Sequence, residues 1–273
     1  MKSMLVGTTV GAFGLRARDA LALLRAACFR PETVGTVAND QLATHLVSRL
    51  CQPGKGFIDV GAHIGSVSAE VISHDASIKI YAIEPMPEKA QNLRRRFPMI
   101  ELHECALGES EGEVPFFVNL RQSGFSSLVK PDDIQNSIEI RVHIQRLDAL
   151  INSDRIDVIK IDVEGAELGV VRGGEGLITR NRPTIMFESA PQINGPSDER
   201  RAILRWFDDR NFDVVLPNRV AHHGPGLTLD GFVEAHFYPI RTTNYFAIPR
   251  ERRAEIRGRA RAALGMEPPS LAA

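Results

Sequence analysis

Short apolar runs rich in β-branched residues alternate with amphipathic segments along most of this chain. Such runs are typical of strands buried in a parallel sheet, and the amphipathic segments between them predict crossover helices. This alternation predicts an α/β fold. The predicted strands span residues 56–60, 78–83, 100–106, 158–161, 182–188, 212–216 and 244–248. The predicted helices among them span residues 66–73, 87–97 and 197–210.

One part of the chain departs from this order. Residues 113–119 and 138–144 alternate apolar and polar positions, which predicts two antiparallel strands. A polar loop, 124–128, lies between them. Insertions at the ligand end of a sheet often shape a substrate pocket, so we expect a small antiparallel insertion with that role.

Helical patterns also stand at both ends of the chain. Residues 19–29 and 40–50 precede the first strand, and the arginine-rich residues 250–261 follow the last one. We expect residues 1–52 to pack as helices on the core and residues 53–250 to form one α/β domain. Residues 251–273 are expected to form an exposed basic helix and a disordered tail, and contact of the arginine-rich helix with an anionic surface is the alternative.

Composition excludes several classes of protein. The 273 residues carry a net charge of −1, which gives no basic face for a nucleic-acid partner. The apolar stretch 4–15 is shorter than the ~20 residues that cross a bilayer, so we expect no membrane span. Three scattered cysteines fit neither a disulfide framework nor a zinc cluster, which favours a cytoplasmic protein without a structural metal.

The first candidate motif joins the first strand to its helix. Gly61 allows the backbone to turn out of the strand towards a ligand, and Gly65 permits close packing where the helix begins. Asp59 precedes this turn, and an acid there disfavours a pyrophosphate and favours a cationic ligand. Glu84 follows the second strand, where a carboxylate can accept hydrogen bonds from both ribose hydroxyls. A cationic nucleoside, S-adenosyl-L-methionine, satisfies both features better than a nicotinamide dinucleotide. The alternative is a glycine turn in an ordinary α/β domain without such a ligand.

Acidic residues stand at the carboxyl ends of four of the predicted strands. They are Asp59, Glu84, Asp162 and Glu188, and Glu164 stands two residues beyond Asp162. Because the carboxyl ends of parallel strands meet at one edge of a sheet, we expect these acids to cluster. Clustered carboxylates repel unless they share a proton or a cation. The pattern therefore indicates a functional site.

Together, these motifs resemble the FkbM family of methyltransferases. The resemblance covers about residues 55–250, and its most specific element is the Lys-Ile-Asp-Val-Glu-Gly-Ala-Glu block at 160–167. It implies a class I, Rossmann-like methyltransferase fold with seven mostly parallel strands and one antiparallel strand. His63 departs from the asparagine usual in the family. The residues expected to bind the cofactor are Asp59, Gly61, Ala62, His63, Gly65, Glu84, Ala106 and Asp162.

The resemblance also implies S-adenosylmethionine-dependent O-methylation, most often of a sugar hydroxyl. A polyketide or other natural-product hydroxyl is the next acceptor class, and a nucleoside-binding scaffold without turnover is the alternative of a different class. The candidate catalytic residues are Asp162, Glu164 and Glu188. A carboxylate base is favoured, and a divalent cation shared by these acids is the alternative. The sequence does not indicate an oligomeric state.

Overall fold

The computed structural model describes residues 9–120, 126–128, 134–189 and 198–266. Within these ranges, seven strands form the main sheet in the order β3-β2-β1-β7-β8-β10-β9. Strand β10 is antiparallel to both of its neighbours, and the other pairings are parallel. This confirms the predicted Rossmann-like α/β fold. The strands are β1 (Gly56–Val60), β2 (Lys79–Ile83), β3 (Glu101–His103), β7 (Ile156–Ile161), β8 (Thr184–Glu188), β9 (Phe212–Val215) and β10 (Asn244–Pro249).

A second, three-stranded sheet contains the insertion. Its strands are β4 (Ala106–Leu107), β5 (Gly112–Asn119) and β6 (Ser137–Gln145), in the order β4-β6-β5. The antiparallel pairing of β5 with β6 confirms the predicted insertion. The prediction of one strand over residues 100–106 is wrong, because the chain leaves the main sheet after His103 and Ala106 pairs with Ile144 instead.

Helices cover both faces of the main sheet. They are α1 (Thr9–Phe29), α2 (Val34–Leu50), α3 (Ser66–His74), α4 (Pro87–Arg96), α5 (Leu147–Leu150), α6 (Glu167–Gly173), α7 (Glu175–Asn181), α8 (Asp198–Asp208), α9 (Leu229–Glu234) and α10 (Arg253–Ala263). Short 3-10 turns span Pro31–Thr33, Ile134–Asn136, Pro217–Arg219 and Arg250–Arg252. No helix in the described ranges is long and apolar enough to cross a membrane.

Alternate side chains along the central strands enter two separate cores. Ile58 and Ile159 lie in one core, which α6 to α9 cover. Phe57 and Val158 lie in the other, with Leu46 of α2 and residues of α3 and α10. Strands β1 and β7 are buried along their whole length, as expected for the centre of a three-layer fold.

The carboxyl-terminal helix differs from the exposed basic helix expected from the sequence. Ile256 and Ala260 of α10 are buried in the core beside α2. Arg259 forms an ion pair with the buried Asp157, as does Arg252 just before the helix. The prediction of a solvated helix was wrong because these arginines have carboxylate partners far away in the sequence. Of the expected disordered tail, residues 266–273, all but Met266 lie outside the described residues.

Candidate cofactor and active site

A cavity of about 330 Å³ opens at the carboxyl edge of the main sheet. Its walls come from the turns after β1, β2 and β7, from the end of β8 and from the insertion. This is the edge at which open α/β sheets bind their ligands. The lining residues are Val60, Gly61, Ala62, His63, Ser66, Val67, Ile83, Glu84, Pro85, Lys89, Cys105, Ala106, Leu107, Phe116, Ser126, Leu128, Lys160, Asp162, Val163, Glu164 and Glu188.

The turn after β1 needs glycine at its first position. Gly61 has a φ of 74°, a left-handed conformation that side chains disfavour. A Cβ atom at this position would lie 1.9 Å from the backbone oxygen of Asp162. The missing side chain therefore lets the turns after β1 and β7 approach each other beside the cavity.

Glu84 lines the cavity, and backbone hydrogen bonds orient both of its carboxylate oxygens. One oxygen accepts a hydrogen bond from the backbone N–H of His63 at 2.8 Å, and the other accepts one from Met86 at 3.0 Å. Burial raises the pKa of Glu84, whereas the ammonium group of Lys89 and the two amides act to lower it. Each carboxylate oxygen has a further lone pair for a ligand.

The His63 imidazole is neutral at neutral pH. Burial, together with the Lys89 and Lys160 ammonium groups, lowers the pKa of His63 to about 4. Its positive φ of 52° is unusual for a residue with a side chain. The histidine that departs from the family pattern thus contributes hydrogen-bonding capacity and no charge.

Lys160 is a buried cation between two carboxylates. Its Nζ lies 3.2 Å from Asp59 and 3.3 Å from Asp162, and it donates a 2.7 Å hydrogen bond to the backbone oxygen of Gly61. Burial acts to lower the pKa of Lys160, but the two carboxylates outweigh it and raise the pKa above its ordinary value. Lys160 therefore holds the glycine turn in place and supplies positive charge to one side of Asp162.

Three carboxylates converge at the edge of the cavity. Oxygens of Asp162, Glu164 and Glu188 all lie within 4.8 Å of one another. Burial raises the pKa of Glu188 far above its usual range, and its hydrogen bond to Asp162 and the neighbouring acids raise it further. Burial also acts to raise the pKa of Asp162, but Lys160 and the hydrogen bond from Glu188 outweigh it and lower that pKa. These opposite shifts favour one proton shared by the pair, which Glu188 donates to Asp162.

Glu164 differs from this pair. Burial, Asp162 and Glu167 raise the pKa of Glu164 to about 7. Its backbone has a φ of 53°, and its carbonyl oxygen accepts a 2.6 Å hydrogen bond from the hydroxyl of Ser127 in the insertion. Backbone conformations of this kind cost free energy and are concentrated at functional sites. The insertion thus holds the backbone of Glu164, whose carboxyl group can gain or lose a proton near neutral pH.

The structure brings together most of the residues predicted from the sequence. Gly61, Ala62, His63, Glu84 and Ala106 line the cavity, as do Asp162, Glu164 and Glu188. Two predicted cofactor contacts, Asp59 and Gly65, are absent from its walls.

Asp59 and Gly65 have other partners. Asp59 is the fourth residue of β1 and fully buried, and it accepts a 2.6 Å hydrogen bond from Ser68 besides its ion pair with Lys160. A Cβ atom on Gly65 would lie 2.6 Å from Leu93 of α4, so this glycine serves helix packing. Asp59 lies one residue before the end of β1 and is linked to Asp162 through Lys160, so its contact with a cofactor stays a prediction.

Sequence reasoning did not assign site roles to Lys160 and Lys89, which both line the cavity. Lys160 carried a usable signal, since a lysine within an otherwise apolar central strand requires a buried partner. Lys89 carried none, because it lies among other basic residues of an amphipathic helix.

The parallel sheet, the glycine turn and the oriented carboxylate after β2 define a class of protein. They are the parts of a nucleoside-binding Rossmann-like domain, and the acid cluster beside them adds a candidate reaction centre. Residues 59–214 match the model of the methyltransferase FkbM domain. The chain belongs to the FkbM methyltransferase family.

Individual relatives are distant. Methyltransferase 1 of Beauveria bassiana is 26% identical over 147 residues, which cover 44% of this chain and 59% of that protein. The 2-O-methyltransferase NoeI of Sinorhizobium fredii is 26% identical over 160 residues, which cover 50% of this chain and 64% of NoeI. The crystal structure of methyltransferase FkbM from Methylobacillus flagellatus aligns with a TM-score of 0.46 and 20% identity, covering 71% of this chain and 43% of that one. The chain thus spans less than two thirds of each of these three proteins.

Proposed function

We propose that this chain transfers a methyl group from S-adenosyl-L-methionine to a hydroxyl group of a small-molecule or glycan acceptor. The observation that carries the proposal is the convergence of Asp162, Glu164 and Glu188 at the edge of the cavity that Glu84 also lines. Glu84 fits the binding of a ribose, and the cluster of three carboxylates fits proton transfer. Membership of the FkbM family supports the same chemistry.

The residues of the cavity suit S-adenosylmethionine, which when bound supplies a methyl group activated by its sulfonium. Glu84 has lone pairs for two ribose hydroxyls, and its backbone hydrogen bonds fix its orientation. The segment Cys105–Leu107 offers a largely apolar wall for a nucleobase. Asp162, ionised beside Lys160, is the carboxylate available to the cationic part of the cofactor.

A hydroxyl acceptor must lose its proton during methyl transfer. Efficient general bases have a pKa near the working pH, and Glu164 has a pKa of about 7. Glu188 already holds a proton and donates it to Asp162, so it is a poor acceptor for a second one. We assign Glu164 as the general base and the Asp162–Glu188 pair as the group that positions charge beside it.

A divalent cation on the three carboxylates is the alternative means of activating the hydroxyl. Their mutual separation of no more than 4.8 Å is compatible with shared ligation, and carboxylate oxygens are ligands that Mg²⁺ accepts. Turnover that is abolished by a chelator and restored by magnesium would favour the cation over Glu164 as base.

The acceptor is proposed to be a sugar hydroxyl. The name of the relative NoeI, a 2-O-methyltransferase, supports O-methylation. A polyketide hydroxyl is the second acceptor class. A panel of glycan and natural-product extracts with radiolabelled methyl donor tests both, and binding of the donor without turnover on any acceptor would favour a scaffold.

Calorimetry with Glu84→Ala tests the cofactor assignment. Loss of two charge-assisted hydrogen bonds at about 1.5–3 kcal/mol each predicts a methyl-donor affinity at least about a hundredfold weaker. Glu88→Ala, an exposed acid four residues away, should leave the affinity unchanged. Thermal unfolding checks that Glu84→Ala is folded, and Glu84→Gln replaces it if it is not. Unchanged affinity in both Glu84 variants, or tight NADH binding by a protein that ignores the methyl donor, would reject the assignment.

A further inference from the structure

Helix α1 has two unlike long faces. Asp19, Ala22, Leu23 and Ala26 are buried or half-buried, and Gln41 of α2 donates a 2.7 Å hydrogen bond to the backbone oxygen of Asp19. The other face carries exposed apolar residues at helical spacing: Ala17, Ala20, Leu21, Leu24, Ala27 and Cys28. Leu21 and Leu24 are 65% and 63% exposed, so this apolar face has no cover within the described chain.

Further exposed apolar side chains lie near the end of the same helix. Phe29, its last residue, is 79% exposed, and Phe237 and Tyr238 are 67% and 69% exposed. The hydroxyl of Tyr238 donates to Glu32, three residues beyond Phe29. Five of the eight large apolar side chains found exposed thus belong to α1 and the loop that contacts its end. We call these five residues the amino-terminal face.

The surroundings of the amino-terminal face are basic. Residues 9–32 contain four arginines and two acidic residues, in a chain whose net charge is −1. Arg18, Arg25 and Arg30 are exposed, Asp19 forms an ion pair with Arg18, and Glu32 accepts the hydrogen bond from Tyr238. An apolar helix face flanked by arginines, with phenylalanine and tyrosine at its end, is the pattern of a helix that lies in a membrane interface.

We propose that the amino-terminal face docks on an anionic lipid surface. Anionic headgroups complement the arginines, and the leucine and aromatic side chains enter the boundary of the acyl chains. A second copy of the chain fits less well, because pairing two such faces would bring like-charged arginines together.

Hydrogen bonds connect α2, to which Asp19 of α1 is bonded, with the edge of the sheet that carries the cavity. Asp40 of α2 accepts a 2.8 Å hydrogen bond from the backbone of Thr243, whose oxygen accepts one from Ser189. Ser189 follows Glu188 of the acid cluster, and Glu188 pairs with Asn244. A docked chain would therefore hold its catalytic edge close to hydroxyls carried by lipids, a consequence that rests on the proposed methyl transfer.

Co-sedimentation of the full chain with vesicles tests the docking. Binding is expected to vesicles of phosphatidylcholine with phosphatidylglycerol, with loss at high salt and little binding to phosphatidylcholine alone. Leu24→Glu should weaken the partitioning by about tenfold or more, since it removes one inserted apolar side chain and adds a repelled charge. Met99→Glu is the matched control, because Met99 is 66% exposed outside the amino-terminal face.

Two results would overturn the proposal. One is absence of binding to the anionic vesicles, including the case in which light scattering shows a dimer that Leu24→Glu dissociates. The other is equal weakening of vesicle binding by Leu24→Glu and Met99→Glu. The measurement needs neither methyl donor nor turnover, so its failure leaves the proposed function untouched and is distinguishable from the failure of that function.

Discussion

The carboxylates at the two ends of strand β7 have opposite electrostatic surroundings. At the start of the strand, Asp157 is surrounded by donors: Arg252 and Arg259 each lie 2.7 Å from its oxygens, and the backbone N–H of Gln52 donates at 2.9 Å. Burial acts to raise the pKa of Asp157, but the hydrogen bonds and the two arginines outweigh it and hold the pKa below its usual value. The amino end of β7 therefore stabilises the ionised form of Asp157.

Just beyond the carboxyl end of the strand, acidic side chains lie next to one another. Glu164 and Glu188 have raised pKa values because burial is compounded by neighbouring carboxylates. The ammonium group of Lys160 faces Asp162 and Asp59. The repulsion here is relieved by a proton on Glu188 and by the raised pKa of Glu164.

The difference separates structural from functional charge. A buried carboxylate that serves folding is matched by cations, since an unmatched one costs several kcal/mol. A cluster of carboxylates without a cation for each of them lowers the stability of the fold, but its members can change protonation near neutral pH. We therefore assign the proton chemistry to the carboxyl end of β7 and a role in stability to its amino end.

Asp157→Ala should produce the largest effect and confine it to stability. Removing this carboxylate leaves two largely buried arginines with the more exposed Glu255 as their remaining shared partner, so the free energy of unfolding should fall by about 3 kcal/mol. Urea unfolding measures the change. The exposed Asp154 gives a matched control, and Asp154→Ala should shift stability by no more than about 0.5 kcal/mol. A loss of stability in Asp157→Ala as small as that in Asp154→Ala would contradict the contrast between the two ends of β7.

Glu164→Gln should have the next largest effect and confine it to turnover. Loss of the general base predicts a rate reduction on the order of 10²-fold or more, with the affinity for the methyl donor and the stability nearly unchanged. Glu188→Gln is the internal comparison. Its amide N–H can replace the proton donated to Asp162, so its rate should fall much less. Equal losses in the two variants would show that Glu164 has no special role among the three acids.

Much of this arrangement could be predicted from the sequence because its causes are local. A glycine after a β-branched run marks a turn, and parallel strands bring the residues that follow them to one edge. Those two rules were enough to place Gly61, Glu84, Asp162 and Glu188 at one cavity.

The remainder depends on pairings between distant parts of the chain. The role of Lys160 follows from its register opposite Asp59 in β1, and nothing near residue 160 in the sequence reveals that register. Arg259 of α10 was expected in solvent because its partner Asp157 lies about a hundred residues earlier. Asp59 was placed at the cavity because the sequence does not show that its carboxylate is buried against Ser68 and Lys160.

The most direct test of the account is the pH dependence of kcat/KM for methyl transfer to an acceptor from the panel. Glu164 must be ionised to accept a proton, and its pKa of about 7 predicts that the rate rises with pH through that value and then levels off. Glu164→Gln should lose this inflection. A wild-type rate that does not change between acidic and alkaline pH, or the same inflection in Glu164→Gln, would contradict the claim that Glu164 is the base.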